Sequence, residues 1–270
     1  DKPLLLNKMK IIFFGDVSGS LGRQGVKTIV PRWQKKYKPD IFIANIENLA
    51  HNKGVTLRTL EEIYNSGVRL FTGGNHIWKK YDINQLAQET AYKIACPAND
   101  SRTPQKYLYQ TTDINSYPLT IISLGGQTFM NEDSLSNPFH KIDELLKIIP
   151  GNSNIIIDIH AETTSEKRAL GFYLDGRVSA ILGTHTHVPT ADAQILEKGT
   201  GYITDIGMVG PHHSVLGIKK EIIIEKFLTE TKIIHDVPTT GQIEINAVLL
   251  EIDNTTHQTK KIAHLREIIN

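Results

Sequence analysis

The chain has 270 residues, and its 30 Lys and Arg residues nearly balance 29 Asp and Glu residues, giving a formal net charge of +1. That balance argues against an extended face for binding nucleic acid or a membrane. A single cysteine, Cys96, excludes an intramolecular disulfide and a cysteine-rich zinc module. No apolar run approaches the ~20 residues that a membrane helix needs. We therefore expect a soluble, cytoplasmic protein without a membrane partner.

Strands and helices are predicted to alternate over the first third of the chain. An apolar run predicts a strand over residues 10–15, and apolar residues at helical spacing predict a helix that reaches about Tyr37. A strand over 41–45 follows. Thr56 is the predicted N-cap of the next helix, and a short strand over 68–72 comes after it. This order is typical of βαβ units with a parallel sheet.

The rest of the chain is predicted to be richer in strands. Pro138 suits the first turn of one helix, and a second helix is predicted over about 165–174. Because there is no internal repeat and no linker-like segment, we predict one α/β domain with a two-layer or sandwiched sheet core. The predicted strands are 107–111, 119–124, 154–159, 178–182, 222–227, 243–252 and 260–265.

Polar residues with metal-ligand chemistry follow the carboxyl ends of predicted strands. In open α/β sheets the ligand crevice lies at those ends, and the sequence steps between these residues are long enough for crossover connections. Mixed oxygen and nitrogen donors suit Mn, Fe, Zn, Ni or Co rather than Ca. The residues are Asp16, Glu47, Asn48, Asn75, His76, His160, His185 and His187.

The pair His185 and His187 illustrates why the combination matters. Two imidazoles two residues apart beyond a strand end can point to the same side and bind adjacent ions. Taken alone, such a pair in a Gly/Thr loop is more often two surface histidines. The shared position of all these residues at strand ends favours a metal centre.

These motifs resemble those of the calcineurin-like metallophosphoesterases, and more specifically the YmdB-type subfamily, described as 2′,3′-cyclic-nucleotide 2′-phosphodiesterases. The resemblance implies an α/β/β/α sandwich around two metal ions, with iron or manganese favoured. Residues 9–270 would form this metallophosphoesterase domain, and residues 1–8 would be a leader or a remnant of cloning. The segments that carry the resemblance are 14–19, 45–48, 51–54, 74–78, 158–167, 183–188 and 204–211.

The resemblance also implies which residues bind each metal. Glu47 would bridge the two ions, and His76 would be the catalytic histidine beside them. The first metal would be held by Asp16, Glu47, Asn48 and His187, and the second by Glu47, Asn75, His160 and His185.

A dinuclear centre of this kind hydrolyses phosphodiesters by a known physical route. Two cations roughly 3.5–4 Å apart share a hydroxide that attacks phosphorus, and they neutralise charge on the phosphoryl oxygens. His76 is the candidate general acid for the leaving oxygen. The expected partner is a small phosphodiester, a cyclic nucleotide. The alternatives are a metal-binding regulatory protein that acts through partners, and a phosphomonoesterase; a homo-oligomer is left open.

One departure from the broad superfamily concerns the first metal. Most calcineurin-like enzymes have Asp-x-His after the first strand, whereas this chain has Asp16-Val17-Ser18. We predict that the amide oxygen of Asn48 replaces the missing imidazole and that Ser18 does not. The alternative is that Asn48 only braces its loop by hydrogen bonds. Whether His51, His212 and His213 line the pocket is left open.

Overall fold

The computed structural model describes residues 8–80, 92–230 and 236–270, which contain 15 strands and five α-helices. The strands are β1 Lys8–Val17, β2 Ile41–Asn45, β3 Leu70–Thr72, β4 Lys93–Ala95, β5 Tyr109–Ile114, β6 Tyr117–Gly125, β7 Asn154–His160, β8 Ala180–Thr184, β9 Gln194–Ile195, β10 Gly201–Ile203, β11 Met208–Pro211, β12 Ser214–Val215, β13 Ile218–Lys219, β14 Ile243–Asp253 and β15 Thr259–Ile269. The helices are α1 Gly19–Tyr37, α2 Leu57–Asn65, α3 Pro138–Leu146, α4 Thr164–Tyr173 and α5 Lys220–Thr229.

Two mixed sheets form the centre of the molecule. The first has the strand order β15-β14-β11-β1-β2-β3-β4, and the second has the order β5-β6-β7-β8-β10-β9. Within the first sheet, β1, β2 and β3 are parallel, whereas β14 pairs antiparallel with β1. Within the second, β6, β7 and β8 are parallel. The parallel segments bring their carboxyl ends to a common edge of each sheet.

Side-chain alternation along β1 explains why the sheets stack with helices outside them. Ile12 and Phe14 belong to a core cluster with residues of α1 and α2, such as Trp33. Ile11 and Phe13 belong to a second cluster that includes residues of the other sheet. A third cluster joins that second sheet to α3 and α4. The fold is therefore an α/β/β/α sandwich, and the predicted fold class is confirmed.

Helix starts follow the local sequence signals. Thr56 caps α2, with its side chain accepting from the backbone N–H of Thr59 while the Thr59 hydroxyl accepts from the backbone N–H of Thr56. Asn137 caps α3, and Pro138 occupies the first turn of that helix. Both predicted starts are confirmed.

Two predictions need correction. The β-branched isoleucines of residues 222–227 predict a strand, but these residues lie in α5, where only Ile223 is buried. Periodicity cannot assign so short an apolar run, and this one directly follows a hairpin. The sheets are also mixed rather than parallel. The C-terminal strands run antiparallel in the first sheet, and β5 and β9 pair antiparallel with their neighbours in the second. Of the predicted leader, residues 1–7 lie outside the described residues, and Lys8 is the first residue of β1.

Candidate metal centre

The predicted site residues meet at the carboxyl ends of β1, β2, β3, β7 and β8. Asp16 lies near the end of β1, and His160 is the last residue of β7. Glu47 and Asn75 follow β2 and β3, and His185 follows β8 directly. Asp16, Glu47 and His160 are almost completely buried. The fold thus brings together charged groups from both sheets at one place.

His160 Nε2 is the centre of a tight group of donor atoms. It lies 3.2 Å from Glu47 Oε1, 3.2 Å from Asn75 Oδ1 and 3.1 Å from His185 Nδ1. The ligand atoms of Glu47, His160 and His185 all lie within 4.8 Å of one another. A Cβ at Gly74 would lie 2.3 Å from His160 Nε2 and 2.4 Å from Glu47 Oε2, so a glycine keeps this space open. Such converging basic atoms fit a transition-metal cation.

Buried hydrogen bonds fix the orientation of the His160 ring. The Thr184 hydroxyl donates to Asp158 Oδ1 at 2.6 Å and therefore accepts from His160 Nδ1, at 2.9 Å. Asp158 Oδ2 accepts from Asn45 Nδ2 and from the Thr72 hydroxyl. With its proton on Nδ1, the ring directs Nε2 toward Glu47, as metal-binding imidazoles do.

Glu162 plays the corresponding role for His185. Its Oε2 lies 3.0 Å from His185 Nε2, so that nitrogen carries the proton and Nδ1 faces His160. Burial and the neighbouring charge of His160 lower the pKa of His185 to about 3. The ring is therefore neutral at pH 7 and presents a lone pair to the centre.

The remaining donors are arranged around Asp16 and His187. Asp16 Oδ2 accepts from the backbone N–H of His185 at 3.0 Å, but buried Oδ1 has no hydrogen-bond partner among the described residues. That oxygen lies 3.9 Å from His187 Nε2. His187 Nδ1 donates to the carbonyl of Leu216 at 3.2 Å, which leaves Nε2 directed at the centre. An unpartnered buried carboxylate oxygen beside an imidazole nitrogen is a fitting pair of metal donors.

Asn48 contacts both Glu47 and His187, but its side-chain amide has an orientation that the sequence did not suggest. Its Nδ2 lies 3.1 Å from Glu47 Oε1 and 3.3 Å from His187 Nε2, whereas its Oδ1 faces His76 Nδ1 at 3.2 Å. The nitrogen faces the centre because it donates to the carboxylate. Ligation through Oδ1 requires a 180° rotation of the amide, which exchanges two atoms of nearly equal size.

His76 lies at the edge of the donors and faces the open cleft. Its backbone N–H donates to Glu47 Oε2 at 2.8 Å, and its side chain is 26% exposed. Burial lowers the pKa of His76, although Glu47 partly opposes this shift. His76 is thus placed to reach a molecule in the cleft.

The charged groups of the cluster shift one another's pKa values. Burial alone would raise the pKa of Glu47, but His160 and the N–H of His76 hold it far below its ordinary value. Burial opposes the charged form of His160, yet Glu47 and Asp16 raise its pKa to about 9. The negative potential that retains this proton also favours a cation in its place.

A cleft of about 490 Å³ opens directly above the donors. His51 lines it, and an exposed cation, Lys53, stands at its edge. His212 lines a neighbouring cleft of about 400 Å³, where its Nδ1 lies 2.8 Å from Glu244 Oε2. The His213 ring packs against His212. The main cleft is lined by Glu47, Asn48, His51, Asn52, Lys53, His76, His185, His187, Leu216, Ile218 and Val237.

A buried ion pair anchors the loop that carries both histidines. Lys167 Nζ donates to Asp205 Oδ2 at 2.8 Å and to the carbonyl of Thr184. Asp205 also accepts from the backbone and hydroxyl of Thr186. His185 has a φ of +93°, which is rare for a non-glycine residue. Sequence reasoning gave Lys167 and Asp205 no role, although both lie in segments that resemble the family.

The sandwich, with this donor cluster at the strand ends, has the metallophosphoesterase fold. A family model described as YmdB-like protein matches residues 12–265. The chain belongs to this YmdB-like family.

Relatives cover nearly the whole chain. A Bacillus subtilis (strain 168) protein named 2′,3′-cyclic-nucleotide 2′-phosphodiesterase is 43% identical over 95% of this chain and 96% of its own. The crystal structure of a Mycoplasma pneumoniae protein described as a novel phosphatase has a TM-score of 0.90 at 34% identity, covering 97% of this chain and 94% of that one. The crystal structure of a hypothetical protein from Thermus thermophilus has a TM-score of 0.89 at 34% identity, covering 97% of this chain and 100% of that one.

Among the described residues, no helix combines the length and the apolar character required to cross a membrane.

Proposed function

We propose that this protein is a metal-dependent phosphodiesterase that hydrolyses 2′,3′-cyclic nucleotides. The convergence of Glu47, Asn75, His160 and His185 on one point carries the proposal, because two of these donors also line a cleft that could hold a substrate. Those two are Glu47 and His185. The name of the Bacillus subtilis relative supports the substrate class. We propose iron or manganese as the metals, since oxygen-rich donor sets favour harder ions than zinc.

The two metal ions would be held by overlapping sets of residues. Glu47 Oε1 lies 3.2 Å from His160 Nε2 and 3.1 Å from Asn48 Nδ2, so Glu47 contacts one residue of each set. Asn48 joins the first set after rotation of its amide. The proposed ligands of the first metal are Asp16, Glu47, Asn48 and His187, and those of the second are Glu47, Asn75, His160 and His185.

The bound metals would supply Lewis acidity, activating the attacking water and neutralising charge on the phosphate. The chain's own residues would attract the substrate and protonate the leaving oxygen. Lys53 at the edge of the cleft attracts the phosphodiester anion. His76 protonates the leaving oxygen, because its ring faces the cleft beside the donors. A bound phosphate beside the ring opposes the lowering of its pKa and favours the protonated imidazole.

Hydrolysis assays of protein depleted of metal and then supplied with manganese or iron test the proposal. We expect turnover of bis-p-nitrophenyl phosphate only after metal is restored, and turnover of 2′,3′-cyclic nucleotides in preference to the 3′,5′ isomers. Product identification then shows which P–O bond breaks. A protein that binds metal but hydrolyses no phosphodiester would refute the proposal and favour the regulatory alternative. Preferred hydrolysis of phosphomonoesters would favour the phosphatase alternative.

A further inference from the structure

A strained turn lines the cleft. Strands β12 and β13 form a hairpin whose two turn residues are Leu216, at φ +52°, and Gly217, at φ +87°. Two-residue turns with positive φ at both positions strongly prefer Asn-Gly. A bulky residue such as leucine rarely adopts this conformation, and doing so costs free energy.

The surrounding contacts hold this turn in place. The carbonyl of Gly217 accepts from Asn52 Nδ2 at 2.9 Å, and the carbonyl of Leu216 accepts from His187. A Cβ at Gly217 would lie 2.8 Å from both Asn52 Nδ2 and Ser18 Oγ, and the φ of +87° also favours glycine there. The turn is therefore pinned against the donor cluster, and the unfavourable backbone at Leu216 is imposed by these contacts.

The side chain of Leu216 gains little stability from its position. It is 47% exposed, unlike the core leucines, and it lines both the main cleft and the neighbouring one. Ile218 and Val237 also line the main cleft. These three residues form an apolar wall beside a floor of carboxylate, amide and imidazole groups. Strain without a compensating burial indicates a functional reason for leucine here.

We propose that Leu216 is a specificity-determining residue that contacts the nucleoside part of the substrate, an inference that rests on the proposed phosphodiesterase function. The phosphate belongs at the polar floor, next to His76 and the metal donors. The organic group must then extend away from that floor, and the apolar wall beside it offers a surface for the face of a base. Of the three wall residues, Leu216 is the one that lines the neighbouring cleft as well.

The test compares two substrates that share one reacting ring. Adenosine 2′,3′-cyclic phosphate carries a base, and 1-O-methylribose 2′,3′-cyclic phosphate lacks it. In Leu216→Ala we expect the ratio of kcat/KM for the nucleotide to that for the baseless diester to fall roughly tenfold, mainly through KM. The matched control is Leu228→Ala, an exposed leucine on α5 that lines neither cleft in the part of the chain that the structure describes. Its ratio is expected to match that of the unaltered protein.

The outcomes separate the two proposals. If the unaltered protein hydrolyses neither substrate, the proposed function fails, and this inference fails with it. If it hydrolyses both and Leu216→Ala leaves their ratio unchanged, the function stands and the specificity role is overturned. A third variant, Leu216→Asn, places a residue that tolerates positive φ at the turn. We expect it to raise the midpoint of thermal unfolding while lowering the same ratio; a lower midpoint would show that Leu216 serves stability instead.

Discussion

The proposed metal donors fall into two groups that the fold holds in different ways. The inner group comprises Asn75, His160 and His185, and the outer group comprises Asp16, Asn48 and His187. In the inner group, His160 is fixed by a buried chain of hydrogen bonds through Thr184 and Asp158. In the outer group, one oxygen of Asp16 is unpartnered among the described residues, and His187 depends on the turn at Leu216.

This difference predicts that the two proposed metal ions bind with different affinities. His160 is already oriented by buried neighbours, so it loses little conformational freedom when an ion binds. In the outer group, the Asn48 amide must still rotate and His187 is held by a surface hairpin. We therefore expect the inner site to fill first in a metal titration, and each of the following variants tests that contrast.

Glu47→Gln should have the largest effect, because the carboxylate belongs to both groups. We expect loss of both metals and a fall in activity of at least about a thousandfold, since the metals supply several kcal/mol of transition-state stabilisation. Elemental analysis of metal per chain is the measurement. His160→Ala should instead empty the inner site preferentially, and Glu251→Gln, on β14, should retain both metals. Full occupancy of both sites in Glu47→Gln would contradict a bridging role.

His76→Ala should leave both metal sites occupied, while activity falls ~10²–10⁴-fold, which is the usual contribution of a general acid. The loss should be smaller for a p-nitrophenyl ester, whose leaving group needs little protonation. His264→Ala, a partly buried histidine outside the cleft lining, is the control. Equal losses with alkyl and p-nitrophenyl esters would argue against proton donation, and loss of metal would make His76 a ligand.

Thr184→Val sharpens the comparison by removing the link that orients His160. We expect metal affinity at the inner site to fall about 10–100-fold, with the outer site much less affected. Thr120→Val is the matched control, because Thr120 is equally buried on β6 but bonds Ser153 instead of a metal donor. If both variants weaken metal binding alike, the effect reflects general stability rather than the orientation of the ring.

Asn48→Ala should have the smallest effect, about a tenfold loss of affinity confined to the outer site. Asn48→Asp distinguishes metal binding by Asn48 from hydrogen bonding to Glu47, because an aspartate side chain has two oxygen donors for a metal but no N–H. If Asn48 binds metal, Asp should restore or strengthen outer-site occupancy in a metal titration. If Asn48 only donates hydrogen bonds to Glu47, Asn48→Asp should lower outer-site occupancy as Asn48→Ala does. Repulsion between the two carboxylates should then lower that occupancy further.

The strands that carry the site residues could be predicted from the sequence to within two residues, because apolar runs bounded by Gly and polar residues are strong local signals. Strand β2 was predicted with its observed bounds, and the residues predicted to be ligands do lie together. What could not be predicted depends on contacts between distant segments. Nothing local marks Glu162 as the partner of His185, or Thr184 as the acceptor for His160. The orientation of the Asn48 amide follows from a neighbouring carboxylate that only the fold supplies.

The β12–β13 hairpin and α5 were not predicted, because local residue preferences pointed to other structures. The turn at Leu216 violates the usual residue preference for its conformation, so turn chemistry argued against it. The isoleucines of α5 have high strand propensity, which the environment after the hairpin overrides. Local preference failed at Leu216, beside the site, which agrees with the expectation that strain accumulates near function.

Asp158 has a consequence for how the chain acquires its native state. Its carboxylate, buried on the second sheet, accepts hydrogen bonds from Asn45 and Thr72 of the first. The donors of the centre can therefore assemble only after the two sheets have docked. Asn45 and Asp158, which join the sheets, lie more than a hundred residues apart in the chain. An ion that binds only the docked form shifts the folding equilibrium by mass action without guiding the early steps. Metal supply in the cell would then influence how much folded protein accumulates, as well as how fast each molecule works.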